Sequence, residues 1–257
     1  MAKPRIFVIY YSTYGHVHTL AQSIAKGALK SGNVDVEEYQ FAETLSDDVL
    51  EKMHAGPKPN IPTITVDKIA QADGLLIGFP TRFGSAPAQV KSFFDATGRL
   101  WSDGALQGKP VGLFFSTASQ HGGQESTAFS FIPHLVHHGM LYVPLGFQSS
   151  HLFDNDTVIG GSAWGAGAIA GPDGSRQPTY QELDIAEVQG ERFAQVVTKL
   201  TAEPAKEEPT PQENTAAANP PAGESDAAKE PAPIKPSSTK EPSAVRRLAA
   251  KFKRLFS

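Results

Sequence analysis

The sequence has 257 residues, 40% hydrophobic and 19% charged, enough apolar side chain for a substantial core. Its 23 basic and 27 acidic residues leave a net charge of −4, which argues against nonspecific nucleic-acid binding by the whole chain. There is no cysteine, which excludes disulfides, thiol nucleophiles, thiolate-bound zinc or iron–sulfur clusters and cysteine lipidation, and points to an intracellular protein.

No apolar run approaches the roughly 20 residues of a membrane span, and the stretch 6–11 is too short for a secretory core. It reads instead as the end of a first strand at 5–11. A helical period follows over 17–30, a second strand at 34–41, and a loop with three Pro and one Gly at 53–62. Strand three is predicted at 74–79, a helix at 88–97, strand four at 111–116, a helix at 124–138 and strand five at 140–143. Alternation of this kind predicts parallel strands joined by right-handed helical crossovers, an α/β three-layer sandwich. Five strands suit a flavodoxin-like parallel sheet in the order 2-1-3-4-5, with ligand at the carboxyl ends of the strands. The Gly-rich stretch 144–178 has no clear period; a loop that long is expected to be functional or to pack against another subunit, because it carries Phe147, Leu152, Phe153 and Trp164. A last helix is predicted at 181–200.

Composition then changes. Residues 201–243 hold nine Pro and nine Ala, no aromatic residue and a local charge of −4, the pattern of a disordered linker. Residues 244–257 carry five basic and no acidic groups. There Val245, Leu248, Ala249, Phe252, Leu255 and Phe256 fall at helical spacing opposite Arg and Lys, the pattern of a short basic amphipathic helix. Such a helix suits an anionic membrane surface, where each basic residue contributes roughly 1 kcal/mol, or a protein partner. The three predicted regions are therefore a folded unit at 1–200, a linker at 201–243 and the amphipathic segment at 244–257.

Strand one runs into Ser12-Thr13-Tyr14-Gly15-His16-Val17 and straight on into a helix. A hydroxyl-rich turn with Gly at a helix start is either an anion site or an ordinary capped helix. Without a Lys, this turn suits a single phosphate monoester better than a triphosphate. Two further loops weigh toward a site. Strand three ends Pro80-Thr81-Arg82-Phe83-Gly84, and strand four ends Ser116-Thr117-Ala118-Ser119-Gln120-His121-Gly122. In the order 2-1-3-4-5 these three turns converge on one crevice. No His/Asp/Glu set has metal spacing, and His18, His134, His138 and His151 read as structural.

Those turns, together with Gly104-Ala105-Leu106-Gln107-Gly108-Lys109, Gly122-Gly123-Gln124-Glu125, His137-His138-Gly139-Met140 and Gly174-Ser175-Arg176-Gln177-Pro178, resemble the WrbA family of flavodoxin-like NAD(P)H:quinone oxidoreductases over about residues 5–200. The resemblance implies FMN as cofactor and NADH or NADPH as co-substrate. It places Ser12, Thr13, Tyr14, Gly15, His16 and Val17 at the FMN phosphate and Pro80, Thr81, Arg82, Phe83 and Gly84 along the isoalloxazine. Ser116, Thr117, Ala118, Ser119, Gln120, His121 and Gly122 fall at the ribityl chain and pyrimidine edge. His137, Trp101 and Tyr14 take the catalytic roles: His137 toward a quinone oxygen, Trp101 beside the substrate, Tyr14 toward the nicotinamide nucleotide. Where bacterial members usually have a Gly-rich run, this sequence has Ala118-Ser119-Gln120-His121, one residue longer. The resemblance also implies a homotetramer with shared sites, two-electron ping-pong turnover that protects against oxidative stress, and, for fungal members with such an extension, the cytoplasmic side of the plasma membrane. A one-electron flavodoxin carrier and a membrane-associated regulatory scaffold are the competing classes.

Overall fold

The computed structural model describes residues 2–202; the predicted linker beyond residue 202 and the amphipathic segment 244–257 lie outside the described residues. Elements follow in the order β1 (Arg5–Tyr10), α1 (His16–Leu29), β2 (Asp35–Gln40), α2 (Asp47–Lys52), α3 (Val66–Ile69), β3 (Gly74–Pro80), α4 (Ala88–Asp95), α5 (Gly98–Ser102), β4 (Pro110–Thr117), α6 (Gln124–His137), β5 (Leu141–Tyr142), a 3-10 turn (Ser150–Phe153), β6 (Gly167–Ile169) and α7 (Tyr180–Thr201). Each predicted strand and long helix is present, with bounds shifted by one or two residues.

The sheet is parallel in the order β2-β1-β3-β4-β5, with β6 also beside β4. Strands β3 and β4 are buried along their whole length, because helices cover both faces of a parallel sheet. One face packs Val90 and Phe94 of α4 and Ala128, Phe131 and Leu135 of α6 against Ile9, Ile77 and Phe115. The other packs Leu20 and Ile24 of α1 and Ile185, Phe193 and Val197 of α7 against Ile6, Val8 and Leu76. Helices α1 and α7 touch backbone to backbone: a Cβ at Gly27 would lie 1.9 Å from the Glu187 carbonyl oxygen, and one at Gly190 would lie 2.0 Å from that of Ile24.

The fifth strand position departs from expectation. It is divided between two strands, β5 pairing with Pro110 and Val111 at the start of β4 and β6 pairing with Phe115, Ser116 and Thr117 at its end. The long stretch between them is held by its own contacts. Trp164 stacks on Tyr142, 6.1 Å between ring centroids, and accepts the Tyr142 hydroxyl at its carbonyl, while Leu152 packs on the α1/α7 core. Phe147 and Phe153 remain exposed and pack on each other.

A second anchor fixes the end of this stretch. Glu182, fully buried in the first turn of α7, accepts the N–H groups of Gly160, Ile169 and Thr179 at 2.7–3.0 Å and the Arg176 guanidinium at 3.0 Å. Thr179 completes a capping box with it. Arg176 also donates to the Val158 and Ile169 carbonyls, so this carboxylate ties together Val158, Gly160, Ile169 and Arg176, while Gln124 accepts the Gly161 N–H and Gln189 that of Ala166.

Candidate functional site

At the carboxyl ends of β1, β3 and β4 the chain encloses a crevice of about 380 Å3, within the range of small-molecule sites. Ser12, Thr13, Tyr14, His16 and Val17 line it from the first turn, Pro80, Thr81 and Arg82 from the second, and Ser116, Thr117 and Ala118 from the third. The predicted convergence is therefore present for these eleven residues. The fourth wall was not read from the sequence: Ala170, Gly171, Pro172, Asp173 and Gly174, just after β6, complete the lining. Their Gly-Pro-Asp-Gly pattern signals a turn, but nothing local to it says that β6 delivers that turn to the crevice.

Local geometry explains how the first turn presents donors. Gly15 caps α1 at φ +92°, where other residues are strained, and its N–H bonds the Ser12 hydroxyl oxygen at 3.1 Å. No side chain caps the helix, so the first-turn N–H groups and the positive helix end face the crevice. Behind them, His16 is buried with Nε2 3.0 Å from the Arg176 carbonyl oxygen; a carbonyl only accepts, so Nε2 carries the proton. The phosphate-type turn is thereby tied to the fourth wall.

The second turn is tight. Arg82 and Ser85 bond each other in both directions, Gly84 donates to the Thr81 hydroxyl at 3.1 Å, and Thr81 in turn meets the Thr127 hydroxyl at 2.6 Å. Thr127 donates to the Gly123 carbonyl, so Thr81 is the donor between them. Phe83 sits at the tip with φ +53° and a fully exposed ring, and Gly84 follows it; both border the lining without belonging to it. Arg82 extends along the wall, donating to the Thr81 carbonyl at 2.9 Å and the Thr13 hydroxyl at 3.4 Å.

Four expected residues of the third turn stand outside the crevice. Ser119 and Gly122 close the turn through a 3.0 Å backbone bond, and Gln120 and His121 line a neighbouring depression with Glu125, Ser126 and residues 159–162. His137 and Trp101 also lie elsewhere in the single chain: they meet in a depression of about 370 Å3 at the far end of α6, with Phe94, Thr97, His134 and His138. The 14 residues of α6 put that end about 20 Å from the helix start. There His138 bonds Thr97 at 2.8 Å, and burial, with His134 and His137 nearby, holds its imidazole below the ordinary histidine range. Tyr14, half exposed, borders the crevice and donates to the Met53 carbonyl at 3.2 Å.

The donor set fits a flavin mononucleotide. A phosphate monoester suits an uncapped helix start with a free Ser12 hydroxyl proton, and Pro80, Ala118, Ala170 and Pro172 offer apolar walls to a flat ring. Among the described residues no His, Asp and Glu group could hold a metal ion, and no helix is long and apolar enough to cross a membrane.

Sheet order and crevice together define a flavodoxin-like protein with a mononucleotide site. The model of the NADPH-dependent FMN reductase family matches residues 4–153. The chain is 53% identical over 197 residues to a protein of Triphysaria versicolor named quinone-oxidoreductase QR2, covering 76% of this chain and 96% of that one. It is 49% identical to the NAD(P)H quinone oxidoreductase PST3 of Candida albicans, covering 76% and 99%. The crystal structure of a flavodoxin, WrbA-like protein from Agrobacterium tumefaciens shares the fold, with a TM-score of 0.54 at 24% identity over 77% of this chain and 99% of that one. The chain belongs to the NADPH-dependent FMN reductase family.

Proposed function

We propose that this protein is an FMN-dependent NAD(P)H:quinone oxidoreductase. The observation that carries this reading is the convergence of an uncapped helix start, the Arg82 wall and residues 170–174 on one crevice. Bound FMN supplies the two-electron acceptor and donor that links a nicotinamide hydride to a quinone. The chain's own part is to grip the phosphate through the turn Ser12 to Val17, to line the ring with Thr81 and Arg82, and to leave room above it. NAD(P)H and quinone then occupy the same space in turn, the quinone leaving as hydroquinone after gaining two electrons and two protons. Parallel double-reciprocal lines in steady-state kinetics test this alternation; intersecting lines contradict it.

His137 and Trp101 reach such a crevice only from another copy of the chain. Support comes from α6, whose exposed side carries Phe129, Pro133 and Val136 at helical spacing, and from the exposed ring of Phe83 at the crevice rim. In a homotetramer His137 donates a hydrogen bond to a quinone oxygen and Trp101 walls the substrate. The tail at 244–257 binds anionic membrane surfaces from the cytoplasmic side, four copies acting together through their linkers. Two-electron delivery at that surface keeps quinones from oxygen-reactive one-electron reduction, a protective role under oxidative stress. Sedimentation of the full chain with anionic but not neutral liposomes tests the tail.

A further inference from the structure

A charged cluster lies directly behind the crevice, outside its lining. Glu43, in the connection after β2, accepts the Tyr11 hydroxyl at 3.0 Å, Lys58 Nζ at 2.9 Å, Gln89 Nε2 at 2.8 Å and the N–H groups of Thr44 and Leu45. Buried Tyr11 accepts from the Thr13 hydroxyl at 3.4 Å, and Thr13 accepts from Arg82 Nη2 at 3.4 Å. Each hydroxyl here has one proton. A carboxylate can only accept, so the Tyr11 proton points to Glu43, the Thr13 proton must point to Tyr11, and the Thr13 lone pairs are left to receive the guanidinium. Glu43 thereby sets the direction of every bond from the back of the turn to the crevice wall.

We propose that Glu43 is a positioning residue for the cofactor crevice, acting through Tyr11 and Thr13 to hold Arg82 along the wall. The consequence for binding is specific. Thr13 lines the crevice yet has no proton to offer a ligand, so at this point the wall presents a fixed cation rather than a rotating hydroxyl. The same carboxylate restrains the loop 53–62. Its partner Lys58 lies 3.5 Å from the Ser12 carbonyl oxygen and 4.6 Å from the centre of the Tyr11 ring, and Tyr14 bonds Met53 at the start of that loop.

The inference rests on the crevice being the FMN site, and the test separates the two. The full-length chain is stripped of flavin and titrated with FMN, following quenching of flavin fluorescence, alongside Glu43→Gln, Tyr11→Phe, Thr13→Val and the double variant Tyr11→Phe/Thr13→Val. Thermal melting of each apoprotein is recorded. Each single change is expected to weaken FMN binding about 3- to 10-fold, the worth of one hydrogen bond to a charged or polar network. Tyr11→Phe is expected to add nothing further in the Thr13→Val background, because the relay is already cut. A merely structural role gives effects on FMN affinity that multiply in the double variant, whatever each change does to the melting temperature. Should Glu43→Gln fail to fold, the Tyr11 and Thr13 variants decide alone. Unchanged affinity in Tyr11→Phe, or multiplying effects in the double variant, overturns the inference; failure of the unaltered chain to bind FMN overturns the cofactor reading beneath it.

Discussion

Single residues in this protein show strain and charge placed at the crevice. Burial alone would raise the Glu43 carboxyl, but Lys58, Gln89 and the Leu45 and Thr44 N–H groups hold it down to about 2, against an ordinary 4.5. A depressed carboxylate contributes stability that is present above pH 4.5 and lost as pH falls toward 2, here on the order of 3 kcal/mol. Denaturant unfolding of the unaltered chain and of Glu43→Gln should therefore differ most at neutral pH and converge as the pH is lowered from 4.5 toward 2; a constant gap contradicts the assignment. Phe83 makes a second case. A non-glycine residue at φ +53° costs about 1–2 kcal/mol, and its exposed ring gains no packing within the chain to offset that. Phe83→Gly should raise stability by up to about 1 kcal/mol in thermal melts while lowering quinone turnover; a variant less stable than its parent contradicts this. Residues of the crevice lining were legible where a polar side chain follows the end of a strand, as in Ser12 and Arg82, whereas Gly15 shapes the turn without lining the crevice. Ala170 to Gly174 were not legible, because they serve through backbone and shape.

At the level of elements, the sequence was readable wherever burial covers both faces. Strands β3 and β4 stand out as unbroken apolar runs, and α1, α6 and α7 as long periodic ones. What escaped was short. Helices α2, α3 and α5 have four to six residues, less than a periodicity window, and β6 has three that pair through main chain alone. The same strand depends on Glu182, whose position 0% exposed under four donor groups gives a sharp expectation. Glu182→Ala strands Arg176 and three N–H groups, and should cost about 3–5 kcal/mol in guanidinium unfolding. Because that carboxylate holds Ile169 and Arg176, on either side of the fourth wall, the surviving folded fraction should also bind FMN more weakly. A loss under 1 kcal/mol would mean that the stretch is held by something else.

For the whole molecule, the proposed assembly can be tested separately from the chemistry. Replacing Phe129 and Val136 together with Asp should convert the proposed tetramer to smaller species in sedimentation velocity without unfolding α6, since both side chains are already exposed. Turnover should fall with assembly while FMN stays bound; an unchanged sedimentation coefficient contradicts the use of this face. Sequence reading placed His137 and Trp101 beside the substrate through family resemblance, and one chain keeps them a helix length away; the contact between copies proposed for them would leave no trace in the spacing of residues along one chain.

The most direct measurement is made without oxygen on the purified full chain. The crevice should retain about one FMN per chain, giving a visible flavin absorption band that bleaches on adding NADH or NADPH and returns on adding a benzoquinone. A colourless protein that takes up no FMN, or a bound flavin that neither nucleotide bleaches, would contradict the assignment of this crevice as the centre of a quinone reductase.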